Sequence, residues 1–213
     1  MREPPQLLDA SLAAIEPVLA RRPGRVMVGI TGPPAAGKST LAAAVTAALP
    51  TRYAASAVTV PMDGFHLANS ELERLGLAGR KGAPETFDGC GFVHLLRRLH
   101  DRDETVYAPV YSRVLHESIG GVIPVSPDVR VVVVEGNYLL LPDEPWVHVR
   151  KLLDLIVYVE APDPSRYSSL VRRQLARGLD EPAAHAWVNG SDERNARLIA
   201  TTSDRADVVL RRE

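Results

Sequence analysis

Cysteine is almost absent: Cys90 is the single one in 213 residues. No internal disulfide can form and no cysteine-based zinc site can be built, which fits a reducing, cytoplasmic location. Cys90 sits in DGCGF between two glycines, a setting that suits a small residue in a tight turn better than a reactive thiol. Aromatic residues are scarce, with two Trp, six Tyr and three Phe and no basic–aromatic stripe. That removes the stacking platforms of single-stranded nucleic-acid binders. Excess charge is missing too: the net of −1 excludes a whole-surface attraction to nucleic acid or anionic lipid, though not a local basic cleft. No apolar run approaches the ~20 residues of a membrane span. The opening MREPPQLLDASLAAIEPVLARRPG has scattered acidic residues and reads as an amphipathic helix, not a signal peptide.

Hydrophobic residues make up 46% of the chain and charged ones 24%, enough for a packed core and too apolar for global disorder. Leu8, Leu12, Ile15 and Leu19 share a helical face in a segment over 6–21 that RRPG stops. RVMVGIT at 25–31 is an apolar strand, Ser39 to Leu49 a helix closed by Pro50, and SAVTVPMD at 56–63 a second strand. An irregular insert from Gly64 to Asp88 follows, with one short helix expected near Ser70–Leu75; long irregular inserts in compact folds are often functional. Helical spacing returns over 91–101. YAPVYSRVLHESIGGVIPVS then reads as a small hairpin turning at Gly120-Gly121.

VRVVVVEG at 129–136 carries four consecutive valines, the mark of a strand buried on both faces in a parallel sheet. DLIVYVEA at 154–161 is another. A helix from Pro164 to about Arg177, a helix near Glu193–Thr201 and a last strand, ADVVL, complete the pattern. Strands alternating with helices predict one α/β domain over 1–213 with a mainly parallel five-stranded sheet. Within it lie an N-terminal helix (1–22), an insert and hairpin (64–125) and a lid region (163–190).

Gly32-Pro-Pro-Ala-Ala-Gly37-Lys38-Ser39 matches the phosphate-binding G-x-x-x-x-G-K-[ST] pattern between a strand and a helix. Small residues let backbone N–H groups curl around a phosphate, and the helix start adds unpaired N–H groups and the positive end of its dipole. Pro33 and Pro34 have no N–H, so the cradle falls to Ala35, Ala36, Gly37, Lys38, Ser39 and Thr40. Lys38 reaches the β- and γ-phosphates and Ser39 ligates Mg²⁺ in such loops. A chance glycine-rich turn is the bland alternative, and the strand–loop–helix context argues against it. The loop predicts ATP and Mg²⁺ but leaves the phosphoryl acceptor open.

Ligands of open parallel sheets bind beyond the carboxyl ends of the strands. Asp63 ends one strand, Glu135 another, and Asp88 the insert. Phosphoryl transfer to a hydroxyl needs a carboxylate near the attacking oxygen and an acidic group beside Mg²⁺. Asp63 and Glu135 would both face the γ-phosphate if their strands flank the first one. Asp-Gly is also a common turn pair, and Glu135 could be a polar strand end. Arg166, Arg172, Arg173 and Arg177 lie on or beside one helix, as a lid closing over the triphosphate or as a solvated basic face.

GPPAAGKST, MDGFHLAN, KGAPETFD, YSRVLHES and VVVVEGNYLLL follow one another in an order that resembles the phosphoribulokinase, uridine kinase and pantothenate kinase superfamily of P-loop kinases. The resemblance spans about residues 25 to 210 and looks closest to pantothenate kinase-like and fructose or nucleoside kinase-like members. It implies the strand order 2-3-1-4-5 and an ATP-dependent kinase acting on a hydroxyl of a pantothenate-, nucleoside- or sugar-like metabolite. By that resemblance Asp63 is the base for the acceptor hydroxyl, Glu135 sits near Mg²⁺ and its waters, and the Arg166–Arg177 helix is the lid without its operative arginine being singled out; Lys38, Asp63, Glu135 and Arg173 are the catalytic candidates. Asp88, Tyr111 and His116 stand where relatives hold the acceptor, and Lys81 lies in the KG-x-P-E segment of pantothenate kinases. Gly64-Phe65-His66 departs from the uridine kinase pattern after the base aspartate, and His66 either touches the acceptor or packs at the end of a turn. The chain lacks the long additional segments of typical bacterial pantothenate kinases. Members often form dimers or tetramers, so a homodimer is an expectation. The competing function is a regulatory P-loop NTPase that hydrolyses nucleotide and acts on a protein partner.

Overall fold

The computed structural model describes residues 5–212; the first four residues of the 1–22 segment lie outside the described residues. Helix α1 (Pro5–Arg21) buries Leu7, Leu12, Ile15 and Val18, a face one residue offset from the expected one at each end. Strand β1 (Val26–Thr31) is buried throughout and runs into the glycine-rich loop. Helix α2 (Lys38–Tyr53) continues past Pro50 to Tyr53. The expected stop at Pro50 is therefore a correction: proline removes one hydrogen bond but sits within the last turn, where the cost is small. The helix ends at Ala54 in the left-handed conformation, whose N–H bonds back to the Leu49 carbonyl.

Strand β2 spans Ala57–Pro61. The expected strand ended at Asp63, but Met62–Phe65 form a 3₁₀ turn that lifts Asp63 off the sheet. The insert holds α3 (Asn69–Arg74), as expected, and ends at α4 (Gly89–Asp101). Strands β3 (Val106–Ser112) and β4 (Glu117–Val125) pair antiparallel. The hairpin is real but its expected turn is misplaced. The chain reverses at 113–116, with His116 at φ 55°, and Gly120-Gly121 lie inside β4 where the register shifts opposite Pro109.

Strands β5 (Val131–Glu135), β6 (Leu155–Glu160) and β7 (Val208–Arg211) complete the sheet. Its order is β2-β5-β1-β6-β7, parallel at every pairing. Counted within the sheet alone, that is the 2-3-1-4-5 order. Only β5 and β6 flank β1; β2 lies outside β5 with Pro61 opposite Glu135. The condition placed on Asp63, that its strand flank β1, is thus not met, and the 3₁₀ turn brings it inward instead.

Alternate residues of the central strands feed two cores. Val26, Val28, Ile30, Val131 and Val133 pack under α1 and α2. Met27, Val132, Val134 and Ile156 pack under α4 and the insert. The scarce aromatics are concentrated there: Phe65, Phe87, Phe92, Tyr138 and Trp146 meet ring to ring at 5.2–6.1 Å, a spacing that favours edge-to-face packing. Helices α5 (Asp163–Ala176), α6 (Glu181–Trp187) and α7 (Glu193–Ala200) follow β6, with a π-helical turn over Val188–Asp192. The last two pieces between 181 and 192 had no sequence signal strong enough to predict. Among the described residues no helix is long and apolar enough to cross a membrane.

Candidate active site

The carboxyl ends of the parallel strands open into a cavity of about 760 Å³. Its floor is the loop after β1. Gly32 has φ +144°, and a Cβ there would lie 2.2 Å from the Val159 carbonyl oxygen. Ala35 and Gly37 are also left-handed, at φ 62° and 98°, so successive N–H groups turn toward one side. Helix α2 then begins with no side-chain cap, which leaves its first N–H groups for a ligand. The Ala36 N–H is an exception, because it donates to the Pro33 carbonyl at 3.2 Å. Of the predicted cradle residues, Ala35, Gly37, Lys38, Ser39 and Thr40 line the cavity, while Gly32 and Ala36 shape the loop.

Lys38 is buried and its Nζ donates to the Pro33 carbonyl at 2.9 Å. Burial lowers its pKa, against the pull of Glu135 and Asp63, and Arg173 and Arg166 lower it further. Glu135 is buried at the end of β5. Burial pushes its carboxyl up to about 7 despite Lys38 and a hydrogen bond from Ser39, and Asp63 adds to the rise. The three groups therefore share one electrostatic neighbourhood.

This has a measurable consequence for the metal-free, nucleotide-free protein. A carboxyl whose folded pKa lies above the ordinary 4.5 contributes stability in full below 4.5 and loses it as pH rises through about 7. The stability of the native chain relative to Glu135→Gln is expected to fall between those pH values in urea titrations. A flat difference would show that Glu135 is not buried as the structure has it.

The Asp63 turn is wedged into place. A Cβ on Gly64 would meet the Pro109 carbonyl oxygen at 2.4 Å, so only glycine lets the turn seat against β3. His66 closes the turn: its backbone N–H donates to the Asp63 carbonyl at 3.3 Å and its ring Nδ1 lies 2.8 Å from the same oxygen. A carbonyl only accepts, so Nδ1 carries the proton and Nε2 is left as an acceptor. Burial lowers the His66 pKa, which keeps this neutral form. The ring packs on Phe87 and Tyr111 with centroids 4.0 and 4.6 Å away. His66 thus packs at the turn and also lines the cavity.

Lys81, Tyr111 and His116 line the same cavity. The Lys81 ammonium donates to Asn69 Oδ1 and to the His116 carbonyl, the latter at 2.8 Å, and lies 5.2 Å from the Tyr111 ring centre. The next residue is fixed through its carbonyl: Gly82 O accepts from the Tyr138 hydroxyl and from Asn195 Nδ2. So the KGAPE and EGNY segments are joined directly.

Asp88 is placed elsewhere. It is exposed, its carboxylate accepts from the Gly91 N–H at 2.8 Å as the N-cap of α4, and it is not among the cavity-lining residues. An Asp before a glycine-rich helix start is the expected chemistry of a cap, so the acceptor contact foreseen for it is corrected to a structural one.

The four arginines on or beside α5 divide. Arg166 is buried and ties α5 to the glycine-rich loop: its guanidinium donates to the Pro34 carbonyl at 3.2 Å, to Asp163 at 3.0 Å and to Glu193 at 2.8 Å. Arg172, Arg173 and Arg177 line the cavity. Arg166→Met leaves the half-buried Glu193 unpaired, and is expected to cost about 2 kcal/mol in urea unfolding and to weaken ATP binding. Unchanged stability would mean the clamp does not hold in solution. Arg113, in the hairpin turn, also faces the cavity close to Arg173, Asp63 and Glu135. Sequence reasoning missed it, although it directly follows Tyr111-Ser112 in the quoted YSRVLHES.

These residues fit a nucleoside triphosphate on the floor of the cavity. Among the described residues no three His, Cys, Asp or Glu side chains are grouped to hold a metal. Ser39 and Glu135 supply two oxygens at the end of the loop, which suits Mg²⁺ carried mainly by phosphates and water.

The family model described as phosphoribulokinase / uridine kinase family matches residues 27–213. The protein YggC of Escherichia coli K12 is 34% identical over 205 residues, covering 93% of this chain and 82% of that one. The pantothenate kinase of Bacillus velezensis is 29% identical, covering 87% of this chain and 67% of its own. The crystal structure of a "putative fructose transport system kinase" from Silicibacter sp. TM1040 superposes with a TM-score of 0.88 at 40% identity, covering 96% of this chain and 98% of that one.

Proposed function

Since the chain belongs to the phosphoribulokinase / uridine kinase family and is a kinase acting on a hydroxyl group, we propose that it moves the γ-phosphoryl group of ATP to a small metabolite held between the insert and the hairpin. The observation that carries this reading is the single cavity in which Lys38, Asp63 and Glu135 face one another above an uncapped helix start. Lys38 and the N–H groups opening α2 hold the β- and γ-phosphates. Mg²⁺, placed by Ser39 and Glu135, would offset phosphate charge. Asp63 accepts the proton of the attacking hydroxyl, and Arg173 meets charge developing on the equatorial oxygens. His66, Lys81, Tyr111 and His116 shape the acceptor's seat.

The test is coupled ADP release over nucleosides, pantothenate, ketohexoses, hydroxy acids and sugar phosphates, with Lys38→Ala as blank. ADP formation that requires an added acceptor is expected. Equal hydrolysis with and without acceptors would favour a regulatory NTPase instead.

A further inference from the structure

With Asp88 capping α4, the acceptor's seat lacks the second carboxylate expected there. Another carboxylate reaches the cavity instead. Asp192 closes the π-helical turn over Val188–Asp192 and lines the cavity, as does Asn195 in the first turn of α7. Residues three apart share a helix face, and π-helical turns are rare and recur at functional sites. Direct contacts tie this pair to the Asp63 turn. Asn195 Nδ2 donates to the Gly82 carbonyl at 3.2 Å, and the same oxygen accepts from the Tyr138 hydroxyl. The Tyr138 and Phe87 ring centres lie 5.7 Å apart, those of Phe87 and His66 4.0 Å, and His66 Nδ1 donates to the Asp63 carbonyl at 2.8 Å.

The segment is also held from its other side. Glu193 accepts from Arg166 at 2.8 Å, and Gln174 Nε2 donates to Asp192 Oδ2 at 3.2 Å. The hydrogen-bond balance then shows what this part of the cavity takes. A carbonyl only accepts, so Asn195 faces Gly82 with its nitrogen and keeps Oδ1 as an acceptor. Asp192 Oδ1, Asn195 Oδ1, His66 Nε2 and the Asp63 carboxylate have no hydrogen-bond donor among the described residues. Asn195 is 6% exposed. Burial raises the Asp192 pKa, although Gln174, Arg173 and Arg177 pull it down, so its carboxylate is partly withdrawn from water. Acceptors in such a setting are costly to leave unpaired. The missing partners are therefore donors on a ligand. The lysines and arginines lining the cavity repel an ammonium, whereas hydroxyls donate without charge.

We propose that Asp192 and Asn195 form a hydroxyl-binding subsite for the acceptor: Asp192 Oδ1 accepts from a hydroxyl other than the one phosphorylated, and Asn195 Oδ1 adds a second acceptor. This rests on the phosphotransfer reading above and deepens it, since the acceptor must then carry at least one further hydroxyl and Asp63 is left for the reacting one. A site built to pair a substrate hydroxyl discriminates strongly against the analogue that lacks it, because its own polar group is left unpaired.

The test uses the full chain with fructose, ribose, uridine and pantothenate, each beside analogues lacking one hydroxyl. Calorimetric binding is measured with saturating MgADP, and ADP release with MgATP. At least one of the four is expected to bind the native chain, and loss of the hydroxyl that meets Asp192 should weaken it by about 10- to 100-fold. Asp192→Ala should bind the complete compound as weakly as the native chain binds that analogue, with the two compounds now alike and the affinity for MgADP unchanged. Asp192→Asn keeps the side chain's shape and its contact with Gln174, should fall between the two, and separates loss of a contact from loss of the fold. A merely structural Asp192 would weaken both compounds equally and preserve the gap between them, which overturns the inference. Failure of all four compounds to bind, or an equal loss of MgADP affinity, overturns it as well. A compound bound through Asp192 without ADP release keeps the subsite and sinks the phosphotransfer reading.

Discussion

Asp63→Asn is expected to lower turnover by about 10²- to 10⁴-fold, the usual contribution of a positioned general base, while the affinity for ATP stays as it was. The physical reason is the division of labour in the cavity. In the proposed reading the nucleotide is gripped by backbone N–H groups and Lys38, and Asp63 acts on the acceptor. The amide keeps the shape of the carboxylate and so leaves the 3₁₀ turn and its contact with Pro109 in place. What it loses is the ability to accept the proton of the attacking hydroxyl. Turnover equal to the native chain, measured as acceptor-dependent ADP release, would remove Asp63 from the reaction.

Gly32→Ala should abolish nucleotide binding and destabilise the protein. At φ +144° the backbone is strained for any side chain, and the new Cβ would sit 2.2 Å from the Val159 carbonyl oxygen and 3.3 Å from its nitrogen. Both obstacles are backbone atoms of β6, a central strand, so neither can swing aside. Strain and overpacking together cost about 3 kcal/mol, which for a chain of this size lowers Tm by roughly 10 °C. The loop must either leave the strand or push the strand from β1, and in each case the N–H cradle opens. Differential scanning calorimetry with and without MgATP reads both effects. A variant with native Tm and a native ligand-induced shift would mean that the loop is not packed against β6 in the manner described.

The sheet was legible because its determinants are local and strong. Four valines in a row before Glu135 need two buried faces, and the loop motif fixes where the strand before it must end. The hairpin was legible in kind but not in register. Gly120-Gly121 is the strongest turn signal in its segment, yet the pair is consumed by a bulge opposite Pro109. The true reversal uses His116 in a left-handed conformation, which no short-range rule favours. Asp88 misled for a related reason: its capping bond to Gly91 is a local possibility, whereas a place in the cavity depends on tertiary geometry. Arginines are the hardest to read, because a long charged side chain looks the same in sequence whether it clamps a loop, as Arg166 does, or faces open space, as Arg113 does. The sequence showed that α5 is basic; only packing separated the buried Arg166 from the arginines that line the cavity.

The close approach of Gly64 to the Pro109 carbonyl makes the Asp63 turn and the hairpin a single mechanical piece. Side chains on the outer reach of that hairpin can then be exchanged without disturbing the carboxylate's aim, since register is held by main chain and not by the residues that greet the substrate. New acceptors can be explored by altering one rim of the cleft while the chemistry at its centre keeps its alignment.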